Sequence, residues 1–123
     1  MTVGKKHEAV TIIGGGPAGM ATAIQLKRHG IDGLLLERDE LGGLLWNAKR
    51  VENYPGFPGG ISGPELVGLI KRQFCETGCR FSFEELRRLG RRNGVFALET
   101  GDKTFSSEVV VVATGTRPRP FAP

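Results

Sequence analysis

The residues here best suited to chemistry are glycines. Gly14-Gly15-Gly16-Pro17-Ala18-Gly19 forms a G-x-G-x-x-G array, preceded by an apolar run from Ala9 to Ile13 and followed by a helical pattern. Gly14 lets a strand turn sharply, Gly16 has no Cβ to keep a diphosphate off the backbone, and Gly19 lets the next helix pack close to a sheet. The N-terminus of that helix offers free N–H groups and a partial positive charge to phosphates. An acidic residue stands where such a site needs one. Glu37 ends a second apolar run, Leu34-Leu35-Leu36, and its carboxylate can accept from both ribose hydroxyls of an adenosine. A Gly-rich array alone also fits a plain structural turn, but strand, helix and Glu37 in the right order select the dinucleotide reading.

The elements that must position these groups follow from pattern. Ala9 to Ile13 reads as a strand, and Pro17 to His29 as a helix with Pro at a start position and Gly30 as its stop. Gly33 to Glu37 reads as a second strand. The connection from Arg38 to Ser62 is longer than structureless loops usually run, which favours a functional role. Within it Leu44, Leu45, Trp46, Tyr54 and Phe57 could form an apolar wall for a flat ring. Ser62-Gly63-Pro64-Glu65 is a capping box that opens a second helix, ended by Gly78. Cys79 to Phe83 reads as a third strand. Leu86–Gly90, Val95–Thr100 and Lys103–Ser106 read as an antiparallel meander with turns at Asn93-Gly94 and Gly101-Asp102. Glu108 to Val112, a β-branched run, reads as a separate strand buried on both faces of a parallel sheet. The predicted fold is α/β: a Rossmann-type, three-layer half domain with a parallel sheet and an antiparallel β-meander crossover.

The chain has 123 residues, enough for one small domain, with 39% hydrophobic and 24% charged residues. Its formal net charge of +4 owes much to Arg87, Arg88, Arg91 and Arg92. These flank a turn without interleaved aromatics and read as a solvated hairpin rim, so neither nucleic acid nor membrane is expected as a partner. No apolar run is long enough to span a bilayer and no leader is visible, and the two cysteines form no disulfide framework, so a cytoplasmic location is expected.

Three further motifs accompany the glycine array: Leu41-Gly42-Gly43-Leu44-Leu45-Trp46, Val51-Glu52-Asn53-Tyr54-Pro55-Gly56, and Val109-Val110-Val111-Val112-Ala113-Thr114-Gly115. With them the sequence resembles the FAD-binding part of the thioredoxin reductase-like pyridine nucleotide-disulfide oxidoreductases, over essentially its whole length. The resemblance implies FAD as the ligand. It places Gly14, Gly15, Gly16, Pro17, Ala18 and Gly19 at the pyrophosphate, Glu37 at the ribose, and Gly42 and Gly43 against the pyrophosphate and ribityl chain. It puts Asn53 at the flavin and Ala113-Thr114-Gly115 over the dinucleotide, with Arg38, Leu44, Leu45 and Leu86 completing the set. The sequence departs from the family at Leu44, where Gln is usual, and at Trp46, where a small hydroxylated residue is common. In that family an NAD(P)H domain follows the A-T-G turn. Residues 1–123 are therefore expected to be a single FAD-binding domain that meets a separate NAD(P)H-binding polypeptide or forms a homodimer. The implied function is a flavin-dependent oxidoreductase component transferring electrons through FAD, the alternative a stand-alone flavin carrier or regulatory protein. No catalytic side chain and no metal ligand is assigned. His7 and His29 are isolated, and Cys75 and Cys79, separated by a helix-breaking Gly78, read as packing cysteines.

Overall fold

The computed structural model describes residues 6–117 and 119–121. Its elements run β1 (His7–Ile13), α1 (Pro17–Arg28), β2 (Leu34–Glu37), a 3₁₀ turn (Gly43–Asn47), α2 (Gly63–Glu76), β3 (Arg80–Phe83), β4 (Arg88–Arg92), β5 (Val95–Glu99) and β6 (Thr104–Val112). One six-stranded sheet has the order β3-β2-β1-β6-β5-β4. The first four neighbours pair in parallel, and β5 and β4 continue antiparallel.

The strand period of two divides the apolar residues between two cores. Val10 and Ile12 of β1 and Leu35 of β2 meet Met20 and Ala23 of α1 and Phe74 of α2 on one face. Ile13, Leu34, Leu36 and Val110 turn to the other, where Leu98 and Phe105 of the meander cover them. Helices thus cover one face of the parallel strands, and the meander, continuous with the same sheet through β6, packs against the other.

Helix α1 starts with Pro17 in its first turn, and α2 starts at Ser62, whose hydroxyl accepts the Glu65 amide at 3.2 Å. The Asn93-Gly94 turn has positive φ at both residues, 53° and 81°, the geometry that joins two antiparallel strands without splaying them.

Two expectations need correction. The last meander strand and the valine strand are one continuous element, β6: its lower half pairs with β5 and β1, its upper half with β1 alone. The buried Ser107 marks the change, its hydroxyl taking the Thr11 hydroxyl proton and giving its own to the Val109 carbonyl. The first meander strand lies at Arg88–Arg92 rather than Leu86–Gly90, because a two-residue turn draws the ladder out to Arg92 and Val95. The long connection from Arg38 to Ser62 holds the 3₁₀ turn at Gly43–Asn47 and a bridge between Val51 and Ile61.

Candidate dinucleotide site

The parallel strands deliver their C-terminal ends to one crevice, the usual ligand position in an open α/β sheet. A cavity of about 590 Å³ opens there, lined by 14–18 after β1, 37–40 after β2, 43–47 of the 3₁₀ turn and 113–116 after β6. A second of about 360 Å³ adjoins it on the meander side, sharing Gly14, Glu37, Arg38 and Thr114–Thr116 and adding Glu84, Glu85, Leu86 and Arg117. A separate cavity of about 520 Å³ touches Glu8, Arg80, Glu84 and Lys103. Its carboxylates are already held, Glu8 by Arg80 at 2.8 Å and Glu84 by Ser82, Thr100 and Lys103, so it offers no free anionic group to a ligand.

The glycines divide by what demands them. A Cβ on Gly14, whose φ is +112°, would run into the Ala113 carbonyl oxygen, and one on Gly19 into the Gly14 carbonyl oxygen. Those two glycines serve the close crossing of β1, β6 and α1. A Cβ on Gly15 would meet Leu41 Cδ2 at 2.6 Å and the Glu37 stem. Gly16 differs: it has an ordinary extended backbone (φ −78°, ψ −171°), and nothing lies within 4 Å of where its Cβ would stand. The protein itself has no need of glycine there, and the open space belongs to the cavity.

Gly16 is also the N-cap of α1, and no side chain caps that helix. The amides of Ala18 and Gly19 therefore have no side-chain acceptor, at the positive end of the helix dipole. Opposite them the Gly42 amide donates to the Gly15 carbonyl at 2.8 Å, bringing the 3₁₀ turn against the array. Glycine is needed at position 42, where φ is +121° and a Cβ would strike the Trp46 indole.

Glu37 is held by its backbone. One carboxylate oxygen accepts from the Gly15 amide at 2.9 Å and the other from the Asp39 amide at 2.8 Å. Each oxygen keeps lone-pair capacity for a hydroxyl donor. Glu84 sits at the rim of the smaller cavity. Burial works to raise its pKa, but hydrogen bonds from Ser82 and Thr100 and the charge of Lys103 outweigh it and hold the group below its ordinary value. At the 3₁₀ turn the larger cavity is lined by the apolar Leu44, Leu45 and Trp46. Trp46 Nε1 donates to the Leu41 carbonyl at 2.7 Å, and Lys71 Nζ lies 5.8 Å from its ring centroid.

Of the residues singled out from sequence, Gly14–Ala18, Glu37, Arg38, Gly43–Leu45 and Ala113–Gly115 meet in the larger cavity, and Leu86 lines the smaller. Gly19 and Gly42 stand behind the wall as packing positions. Asn53 is exposed and lines neither cavity, and Tyr54 and Phe57 pack on each other, centroids 6.2 Å apart, outside it. Glu84, Glu85, Thr116 and Arg117 were missed. The signal was available: Glu84 and Glu85 follow β3 as Glu37 ends β2, so a third parallel strand should also feed the crevice.

A Gly-rich turn at a helix N-terminus, an acidic residue ending the next strand, and a crevice over both define a dinucleotide-binding protein. A family model described as pyridine nucleotide-disulphide oxidoreductase matches residues 8–123. The chain belongs to that family, whose thioredoxin reductase-like members are FAD-dependent oxidoreductases. It is 34% identical over 119 residues to a thioredoxin reductase of Mycolicibacterium smegmatis, covering 97% of this chain and 38% of the relative. It is 34% identical over 114 residues to a bifunctional thioredoxin reductase/thioredoxin of Mycobacterium leprae, covering 92% of this chain and 25% of the relative. The crystal structure of Lactococcus lactis thioredoxin reductase superposes with a TM-score of 0.85 at 33% identity, over 92% of this chain and 37% of that one. The chain thus spans between a quarter and two-fifths of the length of these proteins.

Proposed function

We propose that this chain holds FAD in the paired cavities and serves as the FAD-binding component of a thioredoxin reductase-like oxidoreductase. The observation that carries the reading is Gly16: a glycine that the fold does not require, in an ordinary backbone conformation, at the uncapped N-terminus of α1 and facing the crevice. A diphosphate fills that space and satisfies the waiting amides of Ala18 and Gly19. Glu37 then takes the ribose hydroxyls, and the same carboxylate disfavours a 2′-phosphate. Leu44, Leu45 and Trp46 receive the ring. Bound FAD supplies the electron chemistry, while the chain binds it, orients it and screens one side from water.

Residues 1–123 form a single domain on this reading. They carry one G-x-G-x-x-G array, which on this reading holds FAD, so a nicotinamide site lies outside these 123 residues, whether in the same protein, in a separate polypeptide or in another copy. Among the described residues no helix is long and apolar enough to cross a membrane, and both cysteines are free thiols, which fits a cytoplasmic setting. The test is to titrate the purified protein with FAD, then mix the complex with NADH in a stopped-flow instrument. Quenched flavin fluorescence and a raised Tm are expected, without fast, saturable bleaching of the flavin. Absence of FAD binding refutes the reading, and fast bleaching refutes the need for a second component. Turnover that never appears with any added partner favours the alternative of a stand-alone flavin carrier.

A further inference from the structure

We propose that the free edge of β4, Arg88 to Arg92, is a docking edge for an extended acidic segment of another polypeptide, which joins the meander as an antiparallel strand. No residue of β4 lines either cavity of the dinucleotide site, so this inference stands beside the FAD reading rather than on it.

The main chain of β4 is half unpaired. Across the Gly101-Asp102 turn the Thr100 amide donates to the Lys103 carbonyl at 2.9 Å. Alternation along β5 then aims the N–H and C=O groups of Leu98 and Phe96 at β6, and those of Glu99, Ala97 and Val95 at β4. The partners of those three are Arg88, Gly90 and Arg92. The Asn93-Gly94 turn gives the same answer from the other end, since a two-residue turn closes on a hydrogen-bonded pair, here Arg92 with Val95. Leu89 and Arg91 are left with their main-chain groups on the outer side, where β4 ends the sheet.

The side chains set what can join. Leu98 and Phe96 belong to the core under the meander, so Leu89 and Arg91 opposite them share that inner face, and Arg88, Gly90 and Arg92 take the outer one. Every residue of β4 is exposed. Arg88 has Glu99 at 3.6 Å, and the Arg91 guanidinium lies 5.7 Å from the Phe96 ring centroid. Among the described residues Arg91 and Arg92 form no ion pair. Three cations thus stand along about 13 Å of strand, with one acid between them.

That pattern selects among occupants. A second copy of β4, paired antiparallel about Gly90, sets Arg88 against Arg92 twice, and like charges directly opposite are destabilising. The Phe96 ring lies beneath Arg91 rather than free for stacking, and alternating N–H and C=O groups match a polypeptide, so nucleic acid is the weaker partner. An acidic strand gains main-chain hydrogen bonds and opposite-charge pairs together. Read from its N-terminus, it places acids opposite Arg92 and Arg91, any residue opposite Gly90, an apolar one opposite Leu89 and an acid opposite Arg88. Side-chain bulk is accepted at the middle position, because nothing lies within 4 Å of where a Gly90 Cβ would stand.

The experiment titrates the full chain with a fluorescent peptide, Gly-Glu-Glu-Thr-Val-Glu-Gly, and follows anisotropy and amide hydrogen exchange. Saturable binding that weakens as salt is raised is expected, with exchange slowed at Leu89 and Arg91. R88E combined with R92E should weaken this binding at least about 10-fold, and Gly-Lys-Glu-Thr-Val-Lys-Gly should restore it in the variant. If that variant fails to fold, R91E with Gly-Glu-Lys-Thr-Val-Glu-Gly makes the same comparison. Absence of saturable binding, binding without slowed exchange at these two amides, or failure of the charge-swapped peptide to restore affinity overturns the proposal. So does tighter binding of polyuridylate than of the peptide, or concentration-dependent protection of the same amides in the chain alone.

Discussion

Replacing Gly16 and Gly14 by alanine, one at a time, separates a glycine kept for a ligand from one kept for the fold. At Gly16 the new methyl meets nothing within 4 Å, and φ −78° with ψ −171° is open to any L-residue. Losing glycine's freedom in the unfolded chain stabilises by about 0.4–1 kcal/mol. Alanine is a poorer N-cap than glycine by a similar amount. The two nearly cancel, so without ligand G16A should melt within about 2–4 °C of the original protein. At Gly14 the methyl enters the Ala113 carbonyl, and φ +112° is foreign to an L-residue. Backbone strain alone costs about 1–3 kcal/mol, and the clash adds to it. G14A should therefore be visibly destabilised or fail to fold.

With FAD the order changes. A methyl at Gly16 holds the diphosphate off the helix N-terminus, and each charged hydrogen bond lost costs about 1.5–3 kcal/mol, or roughly 10- to 150-fold in Kd. Paired thermal scans and fluorescence titrations give both numbers for each variant. If G16A folds and binds FAD like the original protein, the diphosphate does not lie where the cavity places it. If G16A unfolds, the position is structural after all and the central argument for the site fails.

Glu37→Ala should weaken FAD binding by about 1–3 kcal/mol. It should also lower stability without ligand, since the Gly15 and Asp39 amides lose their acceptor; a titration that matches the original protein would refute the ribose role. Glu84 has a folded pKa below its ordinary 4.5, so its contribution to stability is full above that value and fades as pH falls through the folded pKa. Glu84→Gln should accordingly be less stable at pH 7, by a margin that closes on acidification; a pH-independent margin in urea titrations would contradict this. Burial pushes the Cys79 thiol up, with Lys27 opposing and Asp32 and Cys75 adding to the rise, while Cys75 is exposed. A thiol reagent should label Cys75 well before Cys79, and the double serine variant should keep FAD binding. Equal labelling rates, or loss of binding, would revive a functional role for the pair.

The site was legible where one residue type does one physical job. Gly14, Gly16 and Glu37 announce themselves because strand ends, helix starts and short-range sterics are local properties of the chain, whereas the Ala113-Thr114-Gly115 turn is picked out only by the family resemblance. Asn53, assigned to the flavin by the resemblance, and Tyr54 and Phe57, read as part of an apolar wall, lie outside both cavities, because a 25-residue connection can aim its polar and aromatic groups anywhere until the Val51–Ile61 bridge and the 3₁₀ turn fix it. Glu84 and Glu85 escaped notice for the opposite reason. They lie 47 and 48 residues from Glu37 in sequence, and only the parallel pairing of β2 with β3 brings them to the same crevice.

The fusion of two expected strands into β6 has the same origin. Composition changes at Ser106-Ser107, from a mixed segment to a valine run, and a change of that kind ordinarily marks a boundary between elements. Here it marks a change of neighbour within one element. At Ser106 and Ser107 both edges of β6 are paired, so polar residues are tolerated where the ladder and the Thr11 hydroxyl satisfy them. Above it the valines anticipate packing that the described residues only partly supply, on the β1 side and in the two cores. The valine run thus keeps exposed apolar surface at Val109 and Val112, at the strand end that borders the larger cavity.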